Sequence, residues 1–299
     1  MSATHSAISP RRGFGAAFSA LLVGALAMGI SPIFVRWADV GPFTSAFWRV
    51  GLALPLLYGW MRLSERGTPA AQTPGLRFSR PTILAGLAFA GDLFFWHLSV
   101  VTTSVANATF FATTAPIWVV LFGWLLFRER ASPAVLVGLG LCVAGGGGLL
   151  AHSFQLSSGG AVGDLYGLVT GVFFGLYFLA VRAARATNSA AQVLFESTAV
   201  TAALLLAAAL GLERQLLPRS LGGLAALFAL AWVSHAGGQG LLAVALGRLP
   251  AAFSSLVIFL EAIAAACLAA LILGEPVAIV QAAGGLAILV GIWVARPRQ

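Results

Sequence analysis

Long apolar segments recur along the whole chain and are separated by short polar connections. A helix needs about 20 mostly apolar residues to cross the hydrocarbon core of a bilayer, and ten segments approach or exceed that length. They are 14–35, 42–61, 81–101, 105–127, 133–151, 163–182, 190–211, 221–246, 251–273 and 276–295. Only the stretch from Arg62 to Arg80 is polar enough to form a substantial loop. The pattern predicts an all-α membrane protein with ten transmembrane helices.

The composition points to the same class of protein. Hydrophobic residues make up 60% of the 299 residues and charged residues only 9%, whereas a soluble domain carries roughly 25% charged residues. A soluble fold of this size could not bury so much apolar surface. The two cysteines, Cys142 and Cys267, lie within apolar segments far from each other, so we expect free thiols rather than a disulfide or a metal site.

The basic residues favour a membrane orientation rather than a nucleic-acid partner. All 17 are arginines, and they occur singly or in pairs, so they form no continuous basic face for a phosphate backbone. With the N-terminus placed in the cytoplasm, thirteen fall on the cytoplasmic side and only Arg36, Arg214 and Arg219 fall on the other side. Cytoplasmic loops carry the excess of basic residues. We therefore expect a multi-pass protein of a bacterial inner membrane with both termini in the cytoplasm.

The N-terminal segment imitates a signal peptide. Residues 10–14, Pro-Arg-Arg-Gly-Phe, precede an apolar run, as in a twin-arginine leader. The run is long enough to span the membrane, and it has a counterpart later in the chain. We therefore expect residues 1–13 to be a short cytoplasmic tail rather than part of a cleaved leader.

The chain contains an internal repeat with an offset of 146 residues. At this offset Gly29 aligns with Gly175, Arg36 with Arg182 and Glu129 with Glu275, and the segment boundaries coincide as well. Each half has five helices, an odd number, so the second half must enter the membrane from the opposite side. We predict a first repeat at 14–151, a connecting loop at 152–159 and a second, inverted repeat at 160–297.

Inverted repeats of this kind are the architecture of secondary transporters, in which the substrate site lies near the midplane between the halves. An embedded enzyme would need a metal-ligand set, a nucleophile motif or a phosphate-binding loop, and the sequence has none of them. A channel would favour rings of like charge, which are also not found. We expect no catalytic residue, no metal and no cofactor. The sequence leaves the oligomeric state open between monomer and homodimer.

Several short motifs add a family resemblance. Arg49 follows Pro42-Phe43-Thr44 in the second span, and Ala115-Pro116 lies within the fourth. Leu126-Phe127-Arg128-Glu129-Arg130 and Ile272-Leu273-Gly274-Glu275-Pro276 each precede a glycine-rich helix. With these motifs the whole chain resembles the drug/metabolite transporter superfamily, in its ten-helix, two-repeat (EamA-type) branch.

The resemblance implies export of a small molecule, and its finer features suggest a substrate. Aromatic residues near the expected cavity make the chain similar to the bacterial exporters of aromatic amino acids. Export of drugs or of other metabolites is the alternative within the same fold. The second half departs from the pattern, since Phe195 aligns with Arg49, and Ala262 follows Glu261 where a proline is common. This difference predicts an asymmetric site.

Polar and aromatic residues recur at spacings of three and four in four of the spans, which places them on one helix face. The third span offers Asp92, Trp96 and Ser99, the fourth Asn107, Phe111 and Thr114, the eighth Trp232, His235 and Gln239, and the ninth Ser254, Ile258 and Glu261. His97 and Phe110 lie one position away from these stripes. We expect the four faces to line one central cavity.

The residue types suit a zwitterion that carries a ring. The side chains of Trp96, Phe110, Phe111 and Trp232 could stack on an aromatic group, and those of His97, Asn107, Gln239 and Ser254 could form hydrogen bonds to the ligand. Ionisable groups are costly in a membrane and are functional candidates by default, so Asp92 or Glu261 is expected to pair with an ammonium group or to carry a proton. Thr114 and His235 complete the predicted substrate-binding set.

The same residue types also have purely structural interpretations. Each phenylalanine could simply face lipid or a neighbouring helix, and His97 and His235 could serve as hydrogen-bonding links between helices. Arg49 lies near the outer end of its span, so we expect it to snorkel to the surface or to anchor a neighbouring helix. Pro32 and Pro116 interrupt the first and fourth spans, either as hinges at a cavity or as static kinks.

Overall fold

A computed structural model describes residues 10–66, 76–154, 160–273 and 278–297, and all the regular structure in these ranges is helical. The helices are α1 (Pro10–Gly29), α2 (Ser31–Trp37), α3 (Pro42–Gly51), α4 (Leu54–Ser64), α5 (Arg80–Thr102), α6 (Val105–Ala112), α7 (Ala115–Phe127), α8 (Pro133–Phe154), α9 (Ala161–Arg185), α10 (Ala190–Leu212), α11 (Leu221–Ala229), the π-helix Leu230–Gln239, α12 (Gly240–Leu246), α13 (Ala251–Val257), α14 (Leu260–Leu273) and α15 (Ile279–Ala295).

These helices form ten spans, in agreement with the predicted all-α membrane fold. The first span is α1 with α2, the second α3 with α4, the third α5, the fourth α6 with α7 and the fifth α8. The sixth is α9, the seventh α10, the eighth α11 to α12, the ninth α13 with α14 and the tenth α15. Within the described residues, seven segments are long and apolar enough to cross a membrane, and two shorter apolar helices accompany them, at Ala251–Ala264 and Ile279–Ala295. The second span does not meet this length requirement, because a turn at 52–53 divides it into two shorter helices.

Parts of the predicted connections lie outside the described residues. These are the first nine residues of the tail 1–13, residues 155–159 of the connecting loop 152–159, and the turn that contains Glu275. At the neighbouring described ends, α1 begins at Pro10 and α8 continues to Phe154. The repeat boundaries stay a prediction.

Five spans are broken or distorted, and proline explains three of the breaks. Pro32, Pro55 and Pro116 each lie in the first turn of the second helix of a span. A proline there lacks the N–H that would continue the preceding helix. The ninth span breaks at 258–259 without a proline, within one residue of the position that corresponds to the break at 113–114 in the fourth span. The fourth and ninth spans therefore have the same broken shape in the two halves.

The fifth and tenth spans cross at glycines, and the crossing has the symmetry that the 146-residue offset requires. Gly138 packs against the carbonyl oxygen of Gly291, and Gly145 packs against that of Gly284. Moving either contact by 146 residues produces the other. The thiol of Cys142 donates to the carbonyl of Ile288 over 3.6 Å, and these two residues are themselves 146 apart. The pseudo-two-fold axis therefore passes through this crossing.

The remaining contacts between the halves come in equivalent pairs. Helix α5 packs along α9, and the π-helix with α12 packs along α1, which is the same contact after one repeat. Helix α7 also packs on α9, just as α14 packs on α1. The second span contacts the seventh, and the fourth contacts the ninth. This arrangement is the predicted pair of inverted five-helix repeats, and it brings the third, fourth, eighth and ninth spans to the interface between the halves.

At one end of the molecule, each half has a carboxylate that accepts hydrogen bonds from the backbone of the other half. Glu213 of the second half accepts hydrogen bonds from the backbone N–H groups of Phe43 (2.9 Å) and Thr44 (2.8 Å), in the first turn of α3. Asp39 of the first half accepts from the backbone N–H groups of Arg219 (3.1 Å) and Ser220 (3.0 Å), just before α11. The first N–H groups of a helix have no partner within the helix and favour anions. We call these two carboxylates and their donors the carboxylate clasp.

Two glycines make room for the clasp, since a Cβ at Gly41 would overlap the Glu213 carboxylate and one at Gly223 would overlap that of Asp39. The Ser220 hydroxyl donates to Asp39 over 2.6 Å. This bond, together with the two backbone donors, holds the pKa of Asp39 below its ordinary value of 3.8. The Asp39 contact therefore keeps its full strength above pH 3.8 and is lost only as the pH falls through the lowered pKa.

The opposite end contains a cavity of about 600 Å³ between the fourth, fifth, sixth, ninth and tenth spans. Its walls are mostly apolar, and its charged lining residues are Glu129, Arg130, Arg182 and Arg296. Arg182 and Glu129 form an ion pair there. We call this space the end cavity.

Candidate functional site

A buried arginine lies at the interface between the halves. Arg49 is in the last turn of α3, and only 4% of its surface is exposed. Its guanidinium lies over the ring of Trp96 from α5, with the central carbon 5.1 Å from the ring centroid. A cation over an indole face is attracted by about 0.5–2 kcal/mol, and more strongly where water is excluded. The expectation that Arg49 snorkels to the surface is therefore wrong, and its contact with Trp96 of α5 agrees with the other expectation, that it anchors a neighbouring helix.

Two carboxyl groups and a phenol lie near this arginine. Asp92 of α5 is buried, and Glu261 lies in the first turn of α14, just after the break in the ninth span. Both interact electrostatically with Arg49, as does the buried Tyr177 of α9. Neither carboxyl is among the two ion pairs found within 4.0 Å in the described part of the chain. Arg49, Asp92, Trp96, Tyr177 and Glu261 are called the central cluster below.

A glycine allows the two halves to approach each other at the cluster. Gly29 is the last residue of α1, and a Cβ there would lie 3.3 Å from the Glu261 Cα and 2.9 Å from the Ala264 Cβ. The end of α1 therefore packs directly on the first turns of α14. As a result, Glu261 from the second half reaches the same region as Arg49 and Asp92 from the first half.

Two polar atoms of the cluster, Nε of Arg49 and Oε1 of Glu261, are buried and have no hydrogen-bond partner among the described residues. Each unpaired buried polar group costs about 1–3 kcal/mol, and such groups are uncommon in native proteins. These two atoms therefore remain available to a polar ligand.

The two histidines each combine one hydrogen bond with one free ring nitrogen. His97 pairs through Nδ1 with the Ser45 hydroxyl at 2.7 Å, and His235 pairs through Nε2 with the Thr198 hydroxyl at 2.9 Å. The second nitrogen of each ring is buried without a partner in the described residues. His235 also stacks on Phe89, with ring centroids 5.3 Å apart. Both rings link helices, and the free nitrogens leave the predicted ligand role open.

Trp232 is not buried with the other two residues of its predicted stripe. Its side chain is 51% exposed, and its Nε1 donates to the carbonyl of Leu52 over 3.1 Å. The cause is the π-helix Leu230–Gln239, whose i→i+5 hydrogen bonds give a wider turn than an α-helix. Spacings of three and four therefore no longer place Trp232 on the same face as His235 and Gln239, which both stay buried.

The predicted residues of the fourth span contact α8, α9 and one another. Asn107 donates to Asp164 of α9 over 2.9 Å, and the Thr114 hydroxyl donates to the Phe111 carbonyl over 2.6 Å. The rings of Phe110 and Phe111 meet edge to face at 5.3 Å. Phe110 lies beside Gly146 of α8, and Phe111 lies beside Gly167 of α9.

Ser254 is fully buried in α13, and its hydroxyl has no hydrogen-bond partner within the described residues. It lies before the break at 258–259, whereas Glu261 lies after it. The continuous stripe predicted for the ninth span is therefore interrupted between these two residues.

The predicted substrate-binding set lacks three buried residues, Arg49, Tyr177 and Glu196. A signal existed for two of them, because Arg49 and Glu196 are ionisable residues within predicted spans. Glu196 is buried in α10 and accepts from the Gln192 side chain (3.0 Å) and from the backbone N–H of Arg77 (2.9 Å). It therefore ties the start of the third span to the seventh. No pattern singled out Tyr177.

The described residues contain no group of three or more histidine, cysteine, aspartate or glutamate side chains that could hold a metal ion. The central cluster instead offers one guanidinium, two carboxyls, a phenol and an indole. These groups are suited to bind a small polar molecule through charge, hydrogen bonds and ring stacking.

Comparisons with known proteins agree with this architecture. A crystal structure of another protein superposes with a TM-score of 0.76 over 93% of this chain and 98% of that chain, at 20% identity, which shows the fold alone. Two proteins described as "Uncharacterized transporter", from two strains of Helicobacter pylori (J99 and 26695), are each 28% identical over 169 residues. The alignment covers 55% of this chain and 54% of each relative, so the chain spans about half the length of the curated relatives it matches.

The family comparison covers both halves of the chain. The EamA-like transporter family matches residues 15–150 and matches again at residues 161–296. Each match contains one five-helix unit of the fold. This protein therefore belongs to the EamA-like transporter family, with its two repeats inverted around a central polar cluster.

Proposed function

We propose that the protein is a secondary active exporter of small amphiphilic metabolites, with aromatic amino acids as the favoured substrates and protons as the coupling ion. It works by alternating access at the central cluster, in a bacterial inner membrane, with both termini in the cytoplasm. The observation that carries the proposal is the cluster itself. Buried charges of both signs and an indole ring lie between the halves of a transporter-family fold.

The chemistry of the cluster suits a zwitterion with a ring. A buried charge is tolerated only when it is paired or hydrogen-bonded, and the cluster offers carboxyls to an ammonium group through Asp92 and Glu261. Trp96 offers an aromatic face beside these charges. Because Glu261 belongs to the second half and Asp92 and Trp96 to the first, a ligand held by all three bridges the halves. Its binding and release are thereby linked to the relative movement of the halves.

The unlike ends of the molecule support alternating access. The carboxylate clasp joins the halves at one end, and the end cavity opens at the other. The arginines Arg130, Arg182 and Arg296 that line the cavity support a cytoplasmic position for it, because cytoplasmic ends carry the excess of basic residues. On this assignment the clasp closes the external side while the cytoplasmic side is accessible, and an exporter loads its substrate in that state.

The experiment is transport in proteoliposomes that contain the purified full-length protein. Movement of labelled L-phenylalanine is measured with and without a pH gradient, and unlabelled aromatic amino acids are added as competitors. We expect flux that depends on the protein and rises with the gradient. Asp92→Asn and Glu261→Gln should each reduce it by at least about tenfold, because each removes a carboxylate that would pair with the ammonium group of the bound substrate.

Glu65→Gln serves as the matched control. It removes a carboxyl that pairs with Arg62 at 3.5 Å outside the membrane-spanning part of α4, so flux should be unchanged. If aromatic amino acids neither move nor compete, the proposed substrate class is wrong. If both Asp92→Asn and Glu261→Gln transport normally, the assignment of the central cluster as the substrate site is wrong.

A further inference from the structure

The hydrogen-bond donors of the Arg49 guanidinium bind no partner among the described residues. Its guanidinium face is covered by the Trp96 ring, but all five N–H donors of a guanidinium lie in the plane of the group and point away from a stacked ring. Nε is buried without a partner, and no hydrogen bond from the Arg49 side chain is found among the described residues. Stacking therefore fixes the orientation of the guanidinium and leaves its donor edge available.

The neighbouring carboxyls do not occupy that edge. Asp92 and Glu261 interact with Arg49 through space, without forming an ion pair within 4.0 Å in the described structure. A planar fork of donors matches a carboxylate and can bind it with two parallel hydrogen bonds. A lysine in the same place would act only as a point charge. The residue type, its orientation and its free donors thus point to a planar anion as the missing partner.

We infer that Arg49 binds the carboxylate group of the transported molecule, and that it restricts the substrate to small monocarboxylates. This inference rests on the proposed function and deepens it, because Asp92 and Glu261 then serve the ammonium group of the same molecule. The substrate spans the interface, with its carboxylate on the first half and its ammonium group close to Glu261 of the second.

The limit to one carboxylate follows from the asymmetry of the halves. The position that corresponds to Arg49 is Phe195, whose ring packs against Tyr58 at 5.5 Å between centroids. The cluster thus contains one guanidinium beside two carboxyls. A second carboxylate on the ligand would face Asp92 and Glu261 without a cation of its own, and like charges at close range disfavour binding.

The test uses three ligands of similar shape that differ in charge. L-Phenylalanine carries both groups, 3-phenylpropanoate lacks the ammonium group, and phenethylamine lacks the carboxylate. Affinities for the purified full-length protein are measured by isothermal titration. In Arg49→Gln we expect the two carboxylates to bind about tenfold or more weakly, as for the loss of a charged hydrogen-bond pair. Phenethylamine should bind with unchanged or higher affinity, because the carboxyls lose their competing cation.

Other variants keep the test decisive if Arg49→Gln does not fold. Arg49→Lys retains the charge and should recover part of the affinity for 3-phenylpropanoate. Asp92→Asn should have the opposite selectivity, with weaker phenethylamine binding and no loss of 3-phenylpropanoate binding. Arg62→Gln removes an exposed arginine and should change none of the three affinities. Equal weakening of all three ligands in the Arg49 variants would overturn the inference, as would a wild-type protein that binds phenethylamine but not 3-phenylpropanoate.

Failure of this inference can be distinguished from failure of the proposed function. Carboxylate binding that depends on Arg49, without any phenylalanine flux in proteoliposomes, would support the inference and contradict the exporter proposal. Flux of phenylalanine with an unchanged KM in Arg49→Gln would do the reverse.

Discussion

The crossing of the fifth and tenth spans allows a quantitative prediction with a control in the same helix. Gly138 and Gly140 both lie in α8, two residues apart. A Cβ at Gly138 would lie 2.5 Å from the carbonyl oxygen of Gly291 and 2.7 Å from the Cβ of Ala295, whereas a Cβ at Gly140 would meet nothing within 4 Å. Gly138→Ala therefore overfills a helix crossing, and Gly140→Ala adds a methyl group to open surface.

The expected magnitudes follow from these distances. Ordinary van der Waals contact begins near 3.4 Å, so α15 must move away from α8 by roughly 1 Å to accept the new methyl group, and overpacking of this kind costs about 1–3 kcal/mol. Alanine in place of glycine gains up to about 1 kcal/mol in helix propensity. Gly138→Ala should therefore lower the free energy of unfolding by about 1–2 kcal/mol, and Gly140→Ala should raise it slightly.

The assay is reversible unfolding in mixed micelles, followed by circular dichroism. Gly284 is the symmetry equivalent of Gly138 and packs on Gly145 in the same way, so Gly284→Ala should resemble Gly138→Ala. The double variant should lose less than the sum of the two, because both methyl groups push the same helices apart. A Gly138→Ala variant as stable as Gly140→Ala would refute the close crossing and with it the position of the symmetry axis.

Two further predictions concern the clasp and the tryptophans. Glu213→Gln should lower stability by about 1 kcal/mol, because the amide oxygen can accept from only one of the two N–H groups at the start of α3. Gly223→Ala should also destabilise the clasp, whereas Gly222→Ala should not, because the nearest atom to a Cβ at Gly222 is 3.7 Å away. Thermal unfolding of the three variants distinguishes these effects. Trp232→Phe should leave the KM for phenylalanine unchanged, because Trp232 is 51% exposed and donates to the Leu52 carbonyl. Trp96→Phe should raise the KM by weakening the cation–π contact with Arg49. Equal effects on the KM would contradict the placement of Trp232 outside the central cluster.

Much of the fold could be predicted because the membrane imposes simple rules. The length of the apolar segments determined the ten spans, and the 146-residue register predicted two equivalent halves. Prolines marked the breaks at Pro32 and Pro116. The break at 258–259 has no such marker. It becomes visible only when the ninth span is compared with its repeat equivalent, the fourth.

The site was less predictable because side-chain directions depend on local helix geometry. Trp232 was placed on the wrong face because an α-helical spacing was applied to a π-helix. Arg49 was judged by its nearness to the end of its span, but it lies seven residues beyond Pro42, which corresponds to a depth of about 10 Å. At that depth its guanidinium meets Trp96 rather than the surface. A count of residues from the helix end could not reveal which neighbour the side chain contacts.

The central cluster is asymmetric because packing in the second half excludes an equivalent acid. The repeat counterpart of Asp92 is Gly238, where a Cβ would lie 2.5 Å from the Met28 Cγ and 3.2 Å from the Gly24 carbonyl oxygen. The contact of Gly238 with α1 corresponds to that of Asp92 with α9, where the Thr170 hydroxyl lies 3.5 Å from the Asp92 carbonyl. The eighth span could therefore gain a carboxylate only by separating from the first. The two repeats share the same helix arrangement, but close packing at Gly238 in the second half means that only the first half carries a carboxylate at this position.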